Sequence, residues 1–264
     1  MASSPSSIAE SALYKKEVIC IDSRNKRNST NPAQYEAWFP LKSNIKMIRL
    51  ITAEIPNTEY VLNATNNVID FDAAGVFGVV AATITPGTYT ANNLANEINL
   101  QMNLACGGAG MGVIFTCTYL ASSMHYQIDR VDGNTFQMLW ATGANTLVNA
   151  HFPLGFDNTD SAAGILITTS DDVVKLSGEN YIYMCLRGLE TVTNDDNVQD
   201  VFAKIVFNIP PRAVSFYSFA ENARIYDTPL AKLDRFFVSF RKDDNTLYDF
   251  NTVEHSFTVE IYTL

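Results

Sequence analysis

The sequence predicts a mainly β protein, an antiparallel sandwich carrying a small α+β unit with one helix. Three observations lead there. Short segments rich in Val, Ile, Thr, Tyr and Phe recur along the chain, separated by Gly, Pro, Asn and Asp turns. Only one stretch carries the three- and four-residue spacing of an amphipathic helix. At 264 residues the chain is long enough for one large β domain, or for a domain with an insertion, to bury a core without staples.

In chain order, residues 1–14 are Ser- and Ala-rich and read as a flexible arm. They contain Glu10 and lack a basic start followed by an apolar core, so they do not read as a signal peptide. Residues 17–22 (EVICID) form a strand closed by the polar stretch 23–32, and 35–39 resumes extended structure before Pro40. In 44–55, Ile45, Met47, Ile51, Ala53 and Ile55 fall on one face and Ile48 and Leu50 on the other, which predicts a strand covered on both sides, ended by Pro56. A short strand over 68–71 follows, and one over 79–85 with a Pro86-Gly87 turn.

Thr90 is a candidate N-cap for a helix over 91–104, in which Ala91, Leu94, Ala95, Ile98 and Met102 make one apolar stripe. The glycines of 106–112 (CGGAGMG) end it, and 113–119, 124–130 and 135–140 are strand-like. This order places an inserted α+β unit at 76–156, with the sandwich formed by 15–75 and 157–264. Further strands are expected at 164–169, 173–176, 181–187, 201–207, 236–240 and 257–262, the last two paired antiparallel.

Composition narrows function. Charged residues make up only 17% of the chain against 47% hydrophobic, which suggests a surface that something covers. A net charge of −10 disfavours broad binding to nucleic acid or anionic lipid and points to protein partners. The local exception is the basic group Lys15, Lys16, Arg24, Lys26 and Arg27, which reads as a solvated turn or as a contact for an acidic neighbour or nucleic acid. Phe216, Tyr217 and Phe219, followed by Tyr226, are core residues or interface anchors. These nine are the candidate interface.

No catalytic, cofactor or metal motif emerges. The four cysteines, Cys20, Cys106, Cys117 and Cys185, lack metal or disulfide spacing and read as reduced thiols. His255 and Glu254 alternate on a strand, so they and Asp249 cannot readily converge on a metal, and Asp70 and Asp72 read as solvated turn flankers. No apolar run reaches membrane-spanning length.

Residues 46–57 (KMIRLITAEIPN) with Thr58, Glu59 and Tyr60, residues 84–98 (ITPGTYTANNLANEI) and residues 247–261 (LYDFNTVEHSFTVEI) together resemble minor capsid proteins, vertex or penton-type proteins included, of nucleocytoplasmic large DNA viruses. Ile21, Asp22, Ser23 and Arg24 fit the same pattern, and the resemblance runs from residue 17 to the end. It departs where Asp244-Asn245 and Asn251-Thr252 stand in place of Asp-Gly and Asn-Gly turns. The resemblance implies a jelly-roll-like β-sandwich, no enzymatic activity, no cofactor, and assembly with the major capsid protein and other minor capsid proteins. It also implies a place in the virion capsid, built in the host cytoplasm. Within it stand a shell-stabilising component and a homopentameric penton. A carbohydrate- or receptor-binding sandwich is the alternative, which Trp38 or Trp140 exposed on a concave surface would support.

Overall fold

A computed structural model describes residues 14–75, 77–107, 112–192, 197–210, 213–218 and 223–264. The first 13 residues of the expected arm lie outside it. The strands are β1 (Lys15–Asp22), β2 (Gln34–Pro56), β3 (Val68–Ala73), β4 (Gly78–Thr83), β5 (Phe115–Leu120), β6 (His125–Arg130), β7 (Gln137–Met138), β8 (Ile167–Thr169), β9 (Tyr181–Leu186), β10 (Val201–Val206), β11 (Val214–Ser218), β12 (Ala223–Arg241) and β13 (Ser256–Thr263). The helices are α1 (Ala91–Ala105) and the single turn α2 (His151–Leu154). The protein is mainly β, with antiparallel sheets and one long helix, consistent with a jelly-roll-like sandwich.

The chain forms two compact units, one of residues up to Glu59 with Glu179–Leu264, the other Tyr60–Gly178. The second is wider at both ends than the 76–156 read from the sequence. Its β3 pairs with β4 and β7, and β8 pairs with β6, and those ladders carry the flanking residues with them.

The first unit is one seven-stranded sheet in the order β1-β13-β2-β12-β9-β10, with β11 also on β2. Its long strands bend at named places. Pro40 in β2 lies opposite the irregularity between Leu233 and Arg235, and Pro229 in β12 lies within that between Ile225 and Leu230. A residue without an N–H is tolerated where the ladder is already interrupted. Asn44 takes φ 53°, a conformation that Asn adopts more readily than most residues.

Two further irregularities correct the sequence reading of 44–55. Ile45, Ile48, Leu50, Ala53 and Ile55 are all fully buried, although strict alternation separates them into two faces. The ladder with β13 pairs Tyr262 with Met47 but Thr263 with Ile45, and Thr258 with Thr52 but Val259 with Leu50. Lys46 and Ile51 are thus extra residues, and each reverses the in-out alternation of the strand beyond it. The strand has one core face.

The expected pairing of 236–240 with 257–262 is also corrected: β12 lies between β2 and β9, while β13 lies between β1 and β2. The connection between them buries Tyr248 and Phe250 in the core, and a segment anchored that way cannot close a tight hairpin. Residues 173–176 are not a strand either.

In the second unit, α1 is capped as expected, Thr90 Oγ1 accepting from Asn93 N at 3.3 Å, and it buries Leu94, Ala95, Ile98 and Met102. Its polar face has a role that periodicity does not reveal. Asn103 Oδ1 accepts from Ile114 N at 2.7 Å and Phe115 N at 3.0 Å, while its Nδ2 donates to Phe115 O at 2.8 Å. Asn99 brackets Cys117 in the same way, donating to its carbonyl at 3.2 Å and accepting from its N–H. The two amides therefore cover the edge of β5 that β6 leaves open. Asn103→Leu is expected to destabilise this unit by about 1–3 kcal/mol through the orphaned N–H groups, measured by urea denaturation. A cost near zero would mean that water replaces the amide without loss.

Asp70 is not the solvated flanker read from the sequence. It is 2% exposed and accepts from Asn145 N at 2.6 Å and Asn145 Nδ2 at 2.8 Å, tying the 139–145 loop to β3.

Candidate functional site

The outer face of the first unit's sheet follows from register. Residues directly opposite share a face, so the rows Lys16–Tyr262–Met47–Ile225, Val18–Glu260–Arg49–Ala223 and Ser256–Glu54–Phe216 all point away from the core. The alternate residues Ile21, Phe257, Val259 and Ile261 are buried on the other side.

A closed charge cluster occupies the middle of this outer face. Glu260, only 4% exposed, is paired with both Lys16 and Arg49, Arg49 Nε donating at 3.1 Å, and it accepts from the Tyr262 hydroxyl at 3.2 Å. Burial pushes the Glu260 carboxyl up, but the donors from Lys16 and Arg49 outweigh it and hold the pKa below the usual carboxylate range. Two cations on one anion leave the cluster with one net positive charge in an acidic protein. On the same face stand exposed apolar side chains: Val18 at 54% opposite Glu260, Ile225 at 61% opposite Met47 and, farther along β2, Phe216 at 65% opposite Glu54 and Val214 at 61% opposite Pro56. Exposed apolar groups sharing one face with a hydrogen-bonded charge cluster are the composition of a protein contact surface.

The sequence-predicted residues separate on this frame. Lys16 and Phe216 lie on the outer face. Tyr217, opposite Ala53, and Tyr226 pack against the core instead. Phe219 lies outside the described residues. The remaining basic residues do not form a free cationic patch: Lys15 pairs with Glu17 at 3.0 Å, Arg24 with Asp22, and Lys26 with Glu254 at 2.5 Å. Arg27 lies over the Trp38 ring at 5.4 Å. Val18, Val214 and Ile225 were missed by sequence reasoning because each is an ordinary β-strand residue, and only the register shows which way it points.

Trp140 is buried, 1% exposed, and Trp38, though 40% exposed, has its ring stacked by the guanidinium groups of Arg27 and, at 3.8 Å, Arg235, and donates to Glu36 at 2.8 Å.

His255 does not converge with Glu254 and Asp249. It is buried between Tyr35, Phe240 and Phe250, its Nε2–H donating to Pro32 O at 2.9 Å, while Glu254 turns to Lys26 and Ser23. Among the described residues no group of three or more His, Cys, Asp and Glu side chains could hold a metal ion. Cys106, Cys117 and Cys185 are buried and Cys20 is exposed, all as free thiols, and burial pushes Cys117 up to about 12. No helix of the described residues is long and apolar enough to cross a membrane.

No family model and no curated protein matches the sequence. Among solved structures, the mavirus penton protein is similar with a TM-score of 0.44 and 12% identity, over 95% of this chain and 99% of that one. A chain from the cryo-EM structure of the Sputnik virophage is similar with a TM-score of 0.43 and 11% identity, over 95% of this chain and 98% of that one.

Proposed function

We propose that this chain is a structural virion protein, a minor capsid component that binds the major capsid protein and other minor capsid proteins and stabilises an icosahedral shell. The outer face of β1, β13, β2, β11 and β12 carries this reading, because Phe216, Val214, Ile225 and Val18 stand exposed on the same face as the Lys16–Glu260–Arg49 cluster. A surface of that composition gains by being covered. The resemblance of residues 46–60, 84–98 and 247–261 to minor capsid proteins of large DNA viruses supports it from the sequence side. The protein acts in the virion capsid, after assembly in the host cytoplasm, as a binding component without catalytic function. The alternative within this reading is a penton subunit that closes a homopentameric ring through side-to-side contacts.

Light scattering of the purified chain, alone and with the major capsid protein of the same source, separates these roles. A monomer that joins the capsid protein is the shell component, and a pentamer alone is the penton. Phe216→Asp and Ile225→Asp are each expected to weaken the complex, or the pentamer, by about tenfold or more without lowering thermal stability. A monomer indifferent to the capsid protein, or complexes untouched by both substitutions, would overturn the reading.

A further inference from the structure

The first unit also holds a polar groove of about 560 Å³, separate from the apolar face. Its floor includes Gln34 and Glu36 of β2 and Phe237 and Ser239 of β12; its walls are the loop before β2, residues 197–200 ahead of β10 and the turn after β12. Six amides line it: Asn28, Asn31, Gln34, Asn197, Gln199 and Asn245.

The walls are held by contacts that leave part of this lining unengaged. Asp200 Oδ1 accepts from Gly188 N at 2.9 Å, Asn31 Oδ1 accepts from Ala33 N at 2.8 Å, and Arg241 Nη1 donates to Asn245 O at 2.7 Å. Among the described residues, the amides of Gln34, Asn197 and Gln199 make no side-chain hydrogen bond, and the Arg187 guanidinium lies over the Phe237 ring at 5.1 Å without a carboxylate partner. These exposed amides can therefore bond a ligand without first breaking a contact inside the protein.

The lining chemistry selects among ligands. A phosphate or sulfate group would meet the carboxylates Glu36 and Asp200 as well as the arginines, which removes the gain of charge pairing. An apolar ligand would find one exposed ring, Phe237, among many polar groups that it would strip of water. A neutral polyhydroxyl compound matches instead, because each amide both donates and accepts, as a hydroxyl does, and a sugar's C–H face packs on an aromatic ring. We propose that this groove is a binding site for a neutral saccharide, with Gln34, Asn197 and Gln199 supplying hydroxyl contacts and Phe237 the packing surface. A virion protein with such a site would carry a receptor- or glycan-facing activity independent of its shell contacts.

The test is a glycan microarray carrying neutral, sialylated and sulfated saccharides, followed by calorimetric titration of the best neutral glycan into the full chain. Neutral glycans are expected to be retained, and the double variant Gln34→Ala/Gln199→Ala to bind about tenfold or more weakly with an unchanged melting temperature. Phe237→Ala, as a separate variant, is expected to weaken binding as well. Retention of no saccharide, of sulfated saccharides alone with loss at high salt, or of neutral glycans equally by the double variant, overturns the proposal. Capsid-protein binding by that same variant is expected to stay normal, so failure here and failure of the capsid reading are told apart.

Discussion

Replacing Phe240 by alanine is expected to cost the first unit about 3–5 kcal/mol, the largest effect of any single truncation considered. Phe240 is fully buried in β12, edge-on to Phe250 with ring centroids 5.3 Å apart and to His255 at 4.5 Å. The same rings pack Tyr248 against Phe250 at 4.9 Å, so the residues beyond the end of β12 are held in the core by this cluster. A cavity there removes dispersion contacts from Phe250 and His255 among others, and the surrounding ladders limit collapse. The two tryptophans fall one to each unit, so Trp38 fluorescence in a Trp140→Phe background follows the first unit alone through a urea titration. Phe240→Leu, which keeps most of the volume, should recover more than half of the loss. An alanine variant within about 1 kcal/mol of wild type would show that the cluster does not hold the unit together.

The second large effect is a loss of stability in mild acid. His255 is buried and neutral, and burial lowers its pKa to about 4 against its usual 6.5, despite the bond to Pro32 O and the nearby Glu254 and Asp22 carboxylates. Between these values the unfolded chain binds a proton that the folded chain refuses. Stability is therefore fully present above pH 6.5 and falls as pH drops toward 4, by about 3 kcal/mol in total. Two carboxyls act in the opposite sense: burial raises Glu59 and Glu179, which favours the folded state as they take up protons, although Lys242 beside both moderates the shift. Asp22, Glu254 and Glu260, held low, add to the acid loss only below the ordinary carboxylate range. Urea midpoints of the first unit at intervals from pH 7.5 to 4.5 check this, with His255→Gln as the comparison. The histidine reading fails if the slope between pH 6.5 and 5 is the same in both proteins.

Local rules written in the sequence are visible in the fold. Thr90 and the stripe Leu94, Ala95, Ile98 and Met102 specify a helix and its buried side, because cap chemistry and a 3.6-residue period act within one turn of their own position. The alternation in 17–22 and 257–262 likewise specifies strands whose inner residues, such as Ile21, Phe257 and Ile261, are the ones buried. The deficit of charge was legible in the same way, since it needs no coordinates.

The candidate surface was legible only in fragments. Lys16 and Phe216 were singled out as residue types, but Lys15, Arg24 and Lys26 have carboxylate partners nearby in sequence or, for Lys26, far along the chain at Glu254, and Tyr217 faces inward. Asp70, a turn-type residue by its neighbours, is buried because the 139–145 loop returns to donate to it.

Residue order alone thus specified most of the strands, the one long helix with its cap and buried stripe, and the mainly β character of the chain. Long-range packing settled which strands are neighbours, which residues of β2 share a face, and where the polar groove and apolar face lie. The reason is physical: propensity and capping are set by groups a few residues apart, whereas a bulge at Ile51, a pairing of β12 with β9, or a partner for Glu260 depends on backbone and charges far along the chain.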